Sequence, residues 1–295
     1  MSIVNTLSSA AVCRTVAGAY DLARGAFPAV VRLETTNACN AKCVICPHRD
    51  LKRPIARMDE GLFGQLVDEC AEGGCREIHL HNFGEPLLDK DLEQRVRYAK
   101  ERGIPKVKIF SNGSLLDERR AAGLIEAGLD ELKVSFDGAT REEFEQIRVP
   151  LKFDQVVENI TRLVKLRNER RSAMQIKVAC CSTTDRESTM NSLAAVVDGF
   201  SFGKIHNWAT DPSQNGHGVR KPCSRLWRTF TVLANGDVAL CCLDYDGRHL
   251  LGRVDAEHSI RDVFTGPGYQ KVRHLHRRGR QGEIDLCRHC TKSFV

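Results

Sequence analysis

The stretch Ala29-Val-Val-Arg-Leu-Glu-Thr-Thr36, followed by Cys39-Asn-Ala-Lys-Cys43-Val-Ile-Cys46, decides how this 295-residue chain is read. The first part is apolar and rich in β-branched residues, a strand by composition and length. The second is a CxxxCxxC run on the loop that leaves that strand. Three thiolates on one short loop can hold three irons of a [4Fe–4S] cube and leave the fourth iron open. A cluster that only carries electrons takes four thiolates, so the missing ligand leaves a coordination site for something else. The same cysteines could also be plain reduced thiols or part of a zinc site, which would need a fourth ligand from elsewhere.

Composition narrows the class. Hydrophobic residues make up 42% and charged residues 28%, as in a soluble globular enzyme. The thirteen cysteines are odd in number and spaced like metal ligands. That pattern favours a cytoplasmic iron–sulfur protein over a secreted disulfide scaffold. No apolar stretch is long enough to span a bilayer. Arg14, Asp21 and Arg24 interrupt the N-terminal region, so neither a signal peptide nor a membrane partner is expected. Net charge is +6, with one dense basic run from Arg273 to Arg280. The run reads as a solvated helix face ahead of a phosphate or nucleic-acid contact.

Residues 1–28 form a lead-in, with a helix over 10–24 closed by Gly25 and Pro28 and with Cys13 as a small buried side chain. From there the pattern alternates. Strands are predicted over 30–35, 77–80, 106–110, 131–136, 175–180 and 203–207. Helices are predicted over 59–70, 89–102, 117–127, 153–167 and 189–197, and Gly128 follows the third as a C-terminal signal. Six βα units imply a parallel sheet with helices outside it; periodicity alone does not separate a curved partial barrel from a flat doubly wound sheet. The rhythm ends past Pro212. Apolar segments flank Asn235-Gly236 as a hairpin, a helix is predicted over 259–264, and Cys287-x2-Cys290 follows. Cys223, Cys241, Cys287 and Cys290 make a complete tetrathiolate set, zinc or iron–sulfur by spacing alone.

Strand ends carry short polar signatures: Asn82-Phe-Gly84-Glu85-Pro86, Ser111-Asn112-Gly113, and Ser135-Phe-Asp-Gly138 with Arg148 after it. Each alone means little more than a turn. In this order behind CxxxCxxC, they resemble the radical S-adenosylmethionine (SAM) superfamily. The resemblance implies an α/β fold, a partial (β/α)6 TIM-like barrel with a small C-terminal β-hairpin/helix Twitch domain. It implies SAM chelated at the open iron of a cluster on Cys39, Cys43 and Cys46, and cleaved to a 5′-deoxyadenosyl radical. By the same resemblance Gly84 and Glu85 meet the SAM amino group, and Ser111 and Asn112 lie near the ribose. Ser135 and Arg148 hold ribose and carboxylate, and Ile45 touches adenine. An Arg fork suits a carboxylate physically. Phe83 departs from the pattern, standing where a first glycine often sits.

The C-terminal cysteines resemble the SPASM/Twitch extension. Because the chain stops five residues after Cys290, the shortened Twitch form is expected, with one auxiliary [4Fe–4S] cluster on the four cysteines and two clusters in all. The domains would be 1–28, 29–212 and 213–295, with a flavodoxin or ferredoxin as electron donor and no nucleic-acid partner.

Cys242 adjoins a ligand and, on a strand, faces the other way. It is either a packed side chain or a hydrogen-atom donor over the barrel mouth. Cys180-Cys181 is a second candidate pair, and Cys70 and Cys75 read as structural. One-auxiliary-cluster relatives include the neomycin-pathway epimerase and the butirosin-pathway aminocyclitol dehydrogenase. Epimerisation of a sugar-like small molecule, with Cys242 as donor, is put first. Oxidation of an aminocyclitol alcohol through the auxiliary cluster is the alternative, and peptide modification a further one. His79, His81, Asp211, His217 and Asp244 are candidates to line a polar pocket. A tetrathiolate scaffold binding nucleic acid through its basic tail would have no use for the ordered strand-end signatures.

Overall fold

The computed structural model describes residues 3–180, 185–191, 193, 196–203, 205–209 and 220–293. Six strands form a parallel run paired in chain order: β1 (Val30–Leu33), β2 (Glu77–His79), β3 (Lys106–Ser111), β4 (Glu131–Ser135), β5 (Gln175–Cys180) and β6 (Gly199–Phe202). The connecting helices Glu60–Glu72, Leu92–Glu101, Glu118–Glu126 and Phe153–Glu169 each bury an apolar face. Local chemistry sets where two of them start. Asp59 accepts from the Leu62 amide at 3.1 Å, and Asp117 from Arg120 at 2.7 Å. Gly128, at φ +81°, ends the Glu118–Glu126 segment in a conformation that favours glycine. The architecture is the partial TIM-like barrel expected.

Three local expectations need correction. The last connecting helix runs Arg186–Asn191 rather than 189–197, because Asp185 accepts from the Ser188 amide at 3.0 Å and so starts it early. The sixth strand is accordingly Gly199–Phe202 rather than 203–207. A short helix, Arg141–Ile147, capped by Thr140, was not predicted.

The C-terminal hairpin forms where Asn235-Gly236 predicts, between β7 (Thr229–Val232) and β8 (Asp237–Ala239), and β9 (Leu250–Arg253) extends it. It is not a separate sheet. β7 pairs in parallel with β1, from Val30 opposite Thr229 to Leu33 opposite Val232, making one nine-stranded sheet. The N-terminal helix Ile3–Ala23 packs on this C-terminal half. Asp21 accepts from Trp227 Nε1 at 2.8 Å and pairs with Arg277 at 2.6 Å, and Ala17 shares a core with Leu226, Trp227 and Val272. The basic run is not a uniformly solvated face: Arg273 and His276 of helix Pro267–Arg277 are buried, and Arg273 donates to the carbonyls of Leu226 and Phe264.

Strand alternation divides the sheet. Val31, Leu33, Ile78, Val107, Ile109, Leu132, Val134, Ile176 and Val178 are buried in one continuous apolar core. The opposite face, toward the barrel interior, carries charge where branched apolar side chains usually sit. Glu131 is the hub, receiving Lys106 at 2.7 Å, Lys108 at 2.9 Å and Lys177 at 3.3 Å. Burial alone would raise its carboxyl, but Lys106 and Lys108 overbalance that and hold it down to about 2. A carboxylate depressed in the folded state stabilises above its unfolded value, near 4.5, and that stability is lost as pH falls toward 2. Glu131→Gln should therefore cost about 2 kcal/mol in urea unfolding at pH 7, less than the full penalty of breaking a buried pair because the lysines are partly exposed. It should also flatten the loss of stability between pH 4.5 and 2; an unchanged acid limb would remove Glu131 from this role.

Candidate functional site

The loop after β1 is held by its own polar residues. Asn37, fully buried, donates to the Pro54 carbonyl at 2.9 Å and accepts from the Ala56 amide at 2.7 Å. The Lys42 and Val44 amides bond to the carbonyls of Val149 and Ile147, bringing Arg148 to the cysteine loop. Arg148 pairs with Asp137, and its Nη1 lies 3.9 Å from Cys43 Sγ. Cys39, Cys43 and Cys46 line one cavity of about 390 Å³ at the C-terminal ends of the strands. Burial pushes the Cys39 thiol up to about 12 and the Cys46 thiol to about 11. These thiols give up protons only to something that replaces them, which is what metal or cluster binding does.

All the strand-end positions predicted from the motifs line this same cavity: Ile45, Gly84, Glu85, Ser111, Asn112, Ser135 and Arg148. The geometry refines the part Glu85 plays. Its carboxylate accepts from Leu87 N at 3.0 Å, Ser111 Oγ at 2.8 Å and Asn112 N at 2.7 Å, so it ties two strand ends together. Burial raises its carboxyl against those donors. Asn112 is likewise tied, donating to Asn40 in the cysteine loop at 2.9 Å. Gly84, at φ +113°, lies against residues 37 and 38; a Cβ there would stand 2.7 Å from the Ala38 carbonyl oxygen. This glycine sets how closely the β2 loop approaches the cysteine loop.

A second, smaller and apolar cavity is lined by Cys223, Cys241, Cys287 and Cys290 with Leu226, Leu240 and Leu286. Burial raises the thiols of Cys223, Cys241 and Cys287, the last to about 12. Among the described residues no carboxylate lines it; besides the four sulfurs the one other donor in the lining is the imidazole of His276, whose Nδ1 accepts from the Cys223 amide at 3.3 Å. Among the described residues, no group of His, Cys, Asp or Glu side chains is arranged to hold a single metal ion. Both thiol sets suit iron–sulfur clusters in donor chemistry.

Cys241 and Cys242 lie past the end of β8, in a turn closed by the Asp244 amide on the Cys241 carbonyl at 3.0 Å rather than on the strand expected, and Cys241 lines the second cavity while Cys242 lines the first. Burial would raise its thiol, but Arg32 and Arg225 lower it below its ordinary value. Of the pocket candidates, His81 lines the cavity and stays neutral through burial. His79 is buried beneath it, 2.7 Å from Glu77. Asp244 instead accepts from the Arg248 and His249 amides at 2.9 and 2.8 Å, shaping a turn. Asp211, His217 and Cys181 lie outside the described residues. Cys180 is buried and lines neither cavity, while Cys70 and Cys75 are buried in the core.

Sequence reasoning missed Arg32, Trp208 and Arg225. Arg32 shows as one polar position in an alternating strand, and Arg225 sits two residues beyond Cys223. Trp208, which donates to the Ile45 carbonyl at 2.9 Å, follows the last strand with no motif around it.

Comparison with known proteins places the chain. Residues 33–176 match the family model of the radical SAM superfamily, and residues 223–291 that of the SPASM iron–sulfur cluster-binding domain. The protein belongs to the radical SAM superfamily and carries a C-terminal domain of SPASM type. It is a radical SAM enzyme whose cofactors are SAM and [4Fe–4S] clusters. It is 24% identical over 270 residues to the S-adenosyl-L-methionine-dependent 2-deoxy-scyllo-inosamine dehydrogenase of Niallia circulans, spanning 90% of this chain and 94% of that protein. A GTP 3′,8-cyclase of Chlorobaculum tepidum is 38% identical over 135 residues, but the match spans only 40% of the cyclase. In fold the chain is similar to BtrN in complex with AdoMet and 2-DOIA, with TM-score 0.63, 20% identity, and 90% and 93% of the two chains covered. Streptococcus suis SuiB bound to its precursor peptide SuiA matches at TM-score 0.67 and 14% identity over 88% and 69%. No helix among the described residues is long and apolar enough to cross a membrane.

Gly84→Ala should push residues 37 and 38 away and lower SAM affinity about tenfold, roughly 1.4 kcal/mol, in equilibrium binding to reconstituted protein. Wild-type affinity in that variant would show that the close approach is not needed.

Proposed function

We propose that this enzyme oxidises a secondary alcohol of a small, sugar-like molecule to a ketone. The observation that carries the reading is the end-to-end similarity to an inosamine dehydrogenase, which spans both the barrel and the C-terminal thiol region. It reverses the preference for epimerisation drawn from sequence. In this reading Cys39, Cys43 and Cys46 hold the SAM-binding cluster, and Cys223, Cys241, Cys287 and Cys290 the auxiliary one. Gly84, Ser135 and Arg148 position SAM, and Glu85, Ser111 and Asn112 hold the strand ends that meet it. Held beside the first thiol set, SAM would supply the hydrogen-atom abstraction at the alcohol carbon.

Oxidation also requires that one proton and one electron leave the substrate. The wall between the two cavities is thin: Arg225 and Leu243 border both, and Cys241 and Cys242 are covalent neighbours facing opposite sides. An acceptor held by the second thiol set is therefore within reach of a substrate in the first cavity. His81 orients substrate rather than deprotonating it. Its Nδ1 accepts from the Phe110 amide at 3.1 Å, so in its neutral form the hydrogen is on Nε2, a donor to a hydroxyl. His48 and Trp208 line the cavity and pack on the buried Phe83 ring, stacked and edge-on respectively.

One observation favours epimerisation as the second reading. Cys242 is the one cysteine outside both proposed ligand sets that lines the first cavity among the described residues, where a thiol could return a hydrogen atom.

Two measurements test these assignments. Replacing Cys39, Cys43 or Cys46 with Ala should abolish 5′-deoxyadenosine formation; retained formation would reject the SAM site. With substrate in D2O, the dehydrogenase gives a product two mass units lighter without solvent deuterium. A product of unchanged connectivity carrying one deuterium, lost in Cys242→Ala, would establish the epimerase instead.

A further inference from the structure

The first cavity carries more positive charge than its proposed cofactors use. Three arginines line it: Arg32, Arg148 and Arg225. Arg148 is paired with Asp137. Among the described residues, neither Arg32 nor Arg225 forms an ion pair, and Arg32 Nε is buried without a hydrogen-bond partner. Among the described residues the one acid in the lining, Glu85, has both oxygens committed to Leu87, Ser111 and Asn112. Beneath the cavity floor, the Lys108 and Lys133 ammonium groups lie 5.6 and 5.5 Å from the centre of the Phe110 ring, with Glu131 and Glu77 offsetting part of their charge. SAM is itself a cation, and its carboxylate has Arg148 as its proposed partner.

A guanidinium facing a cavity without an ion-pair partner, as Arg32 does, is costly unless the bound state supplies one. Building on the small-molecule reading above, we infer that the substrate bears an anionic group, a carboxylate or a phosphate ester, which Arg32 and Arg225 hold beside Cys242. Planar Arg forks suit either oxyanion. A cationic amine such as an inosamine would meet repulsion at the same place, so this enzyme's substrate differs in charge from that of the similar dehydrogenase. Arg225 also borders the auxiliary thiols, so part of its charge serves them. Arg32 lines only the first cavity and is the position that discriminates.

The test is a calorimetric titration of the full-length, anaerobically reconstituted, SAM-loaded protein, kept oxidised so that nothing turns over. The probes are glucose 6-phosphate, glucuronate, glucose and glucosamine at fixed ionic strength. At least one acidic sugar should bind about tenfold or more tightly than both glucose and glucosamine, and which one does so tells phosphate ester from carboxylate. Arg32→Gln should erase the preference and Arg32→Lys keep part of it, with iron and sulfide content reporting that each variant is folded. If Arg32→Gln does not fold, the wild-type ranking decides alone. Equal binding of neutral or cationic sugars, no measurable binding of either acid, or a preference that survives Arg32→Gln would overturn the inference. Acid binding without any ketone product under turnover would instead count against the dehydrogenase reading and leave this one standing.

Discussion

Glu34, one residue past the end of β1 and fully buried, fixes how the two halves of the chain meet. Its carboxylate takes both guanidinium arms of Arg53, at 2.8 and 3.0 Å, and also accepts from Asn82 Nδ2 and the Ala234 amide, each at 3.2 Å. Arg53 in turn donates to the Tyr245 carbonyl at 2.8 Å. One carboxylate thus joins the end of the cysteine loop, the β2 loop that carries Gly84, and the C-terminal hairpin. Such a buried pair adds little net stability over an apolar pair of the same shape, but either partner left alone costs several kcal/mol. Its value lies in register: the hairpin can dock on β1 in the arrangement that satisfies Glu34 and in few others.

That register explains the residue at which the motif departs from its family. Phe83, where a first glycine often sits, is buried and stacks on His48 at 5.5 Å and on Tyr245 at 5.2 Å, with Trp208 edge-on at 5.6 Å. A glycine there would leave this contact unfilled. The ring joins the cysteine loop, the β2 loop and the C-terminal half, so the substitution exchanges backbone freedom for aromatic packing.

Much of this was legible in the chain because it is local. Period-two alternation, N-terminal carboxylate caps and strand-end motifs each act within a few residues, and five of the six barrel strands fell close to where they were read. What was not legible is non-local. The parallel pairing of β7 with β1 joins residues about two hundred positions apart, and nothing in either segment specifies the other. The docking of the N-terminal helix on Trp227 and Arg277 is hidden in the same way. The interior charges were hidden for another reason. An outward polar face and a polar barrel lumen give the same alternation, so nothing in the sequence marks Arg32, Lys108 and Lys133 as interior.

The pairing of β7 with β1 also sets the distance between the two thiol cavities. Were the C-terminal region a separate body, that distance would depend on packing between domains and would vary with any hinge motion. Here β7, β8 and β9 continue the barrel sheet, and the dipeptide Cys241-Cys242 spans the wall between the cavities. The dipeptide follows directly on β8 in a turn closed by the Asp244 amide on the Cys241 carbonyl, and there one peptide unit sends one sulfur to each cavity. The separation is therefore set by covalent geometry and by a tight turn anchored on β8 of the common sheet, both stiff on the timescale of domain motion. A site that must pass single electrons or hydrogen atoms across a short gap gains from such rigidity, because small displacements at the reacting atoms are costly to rate.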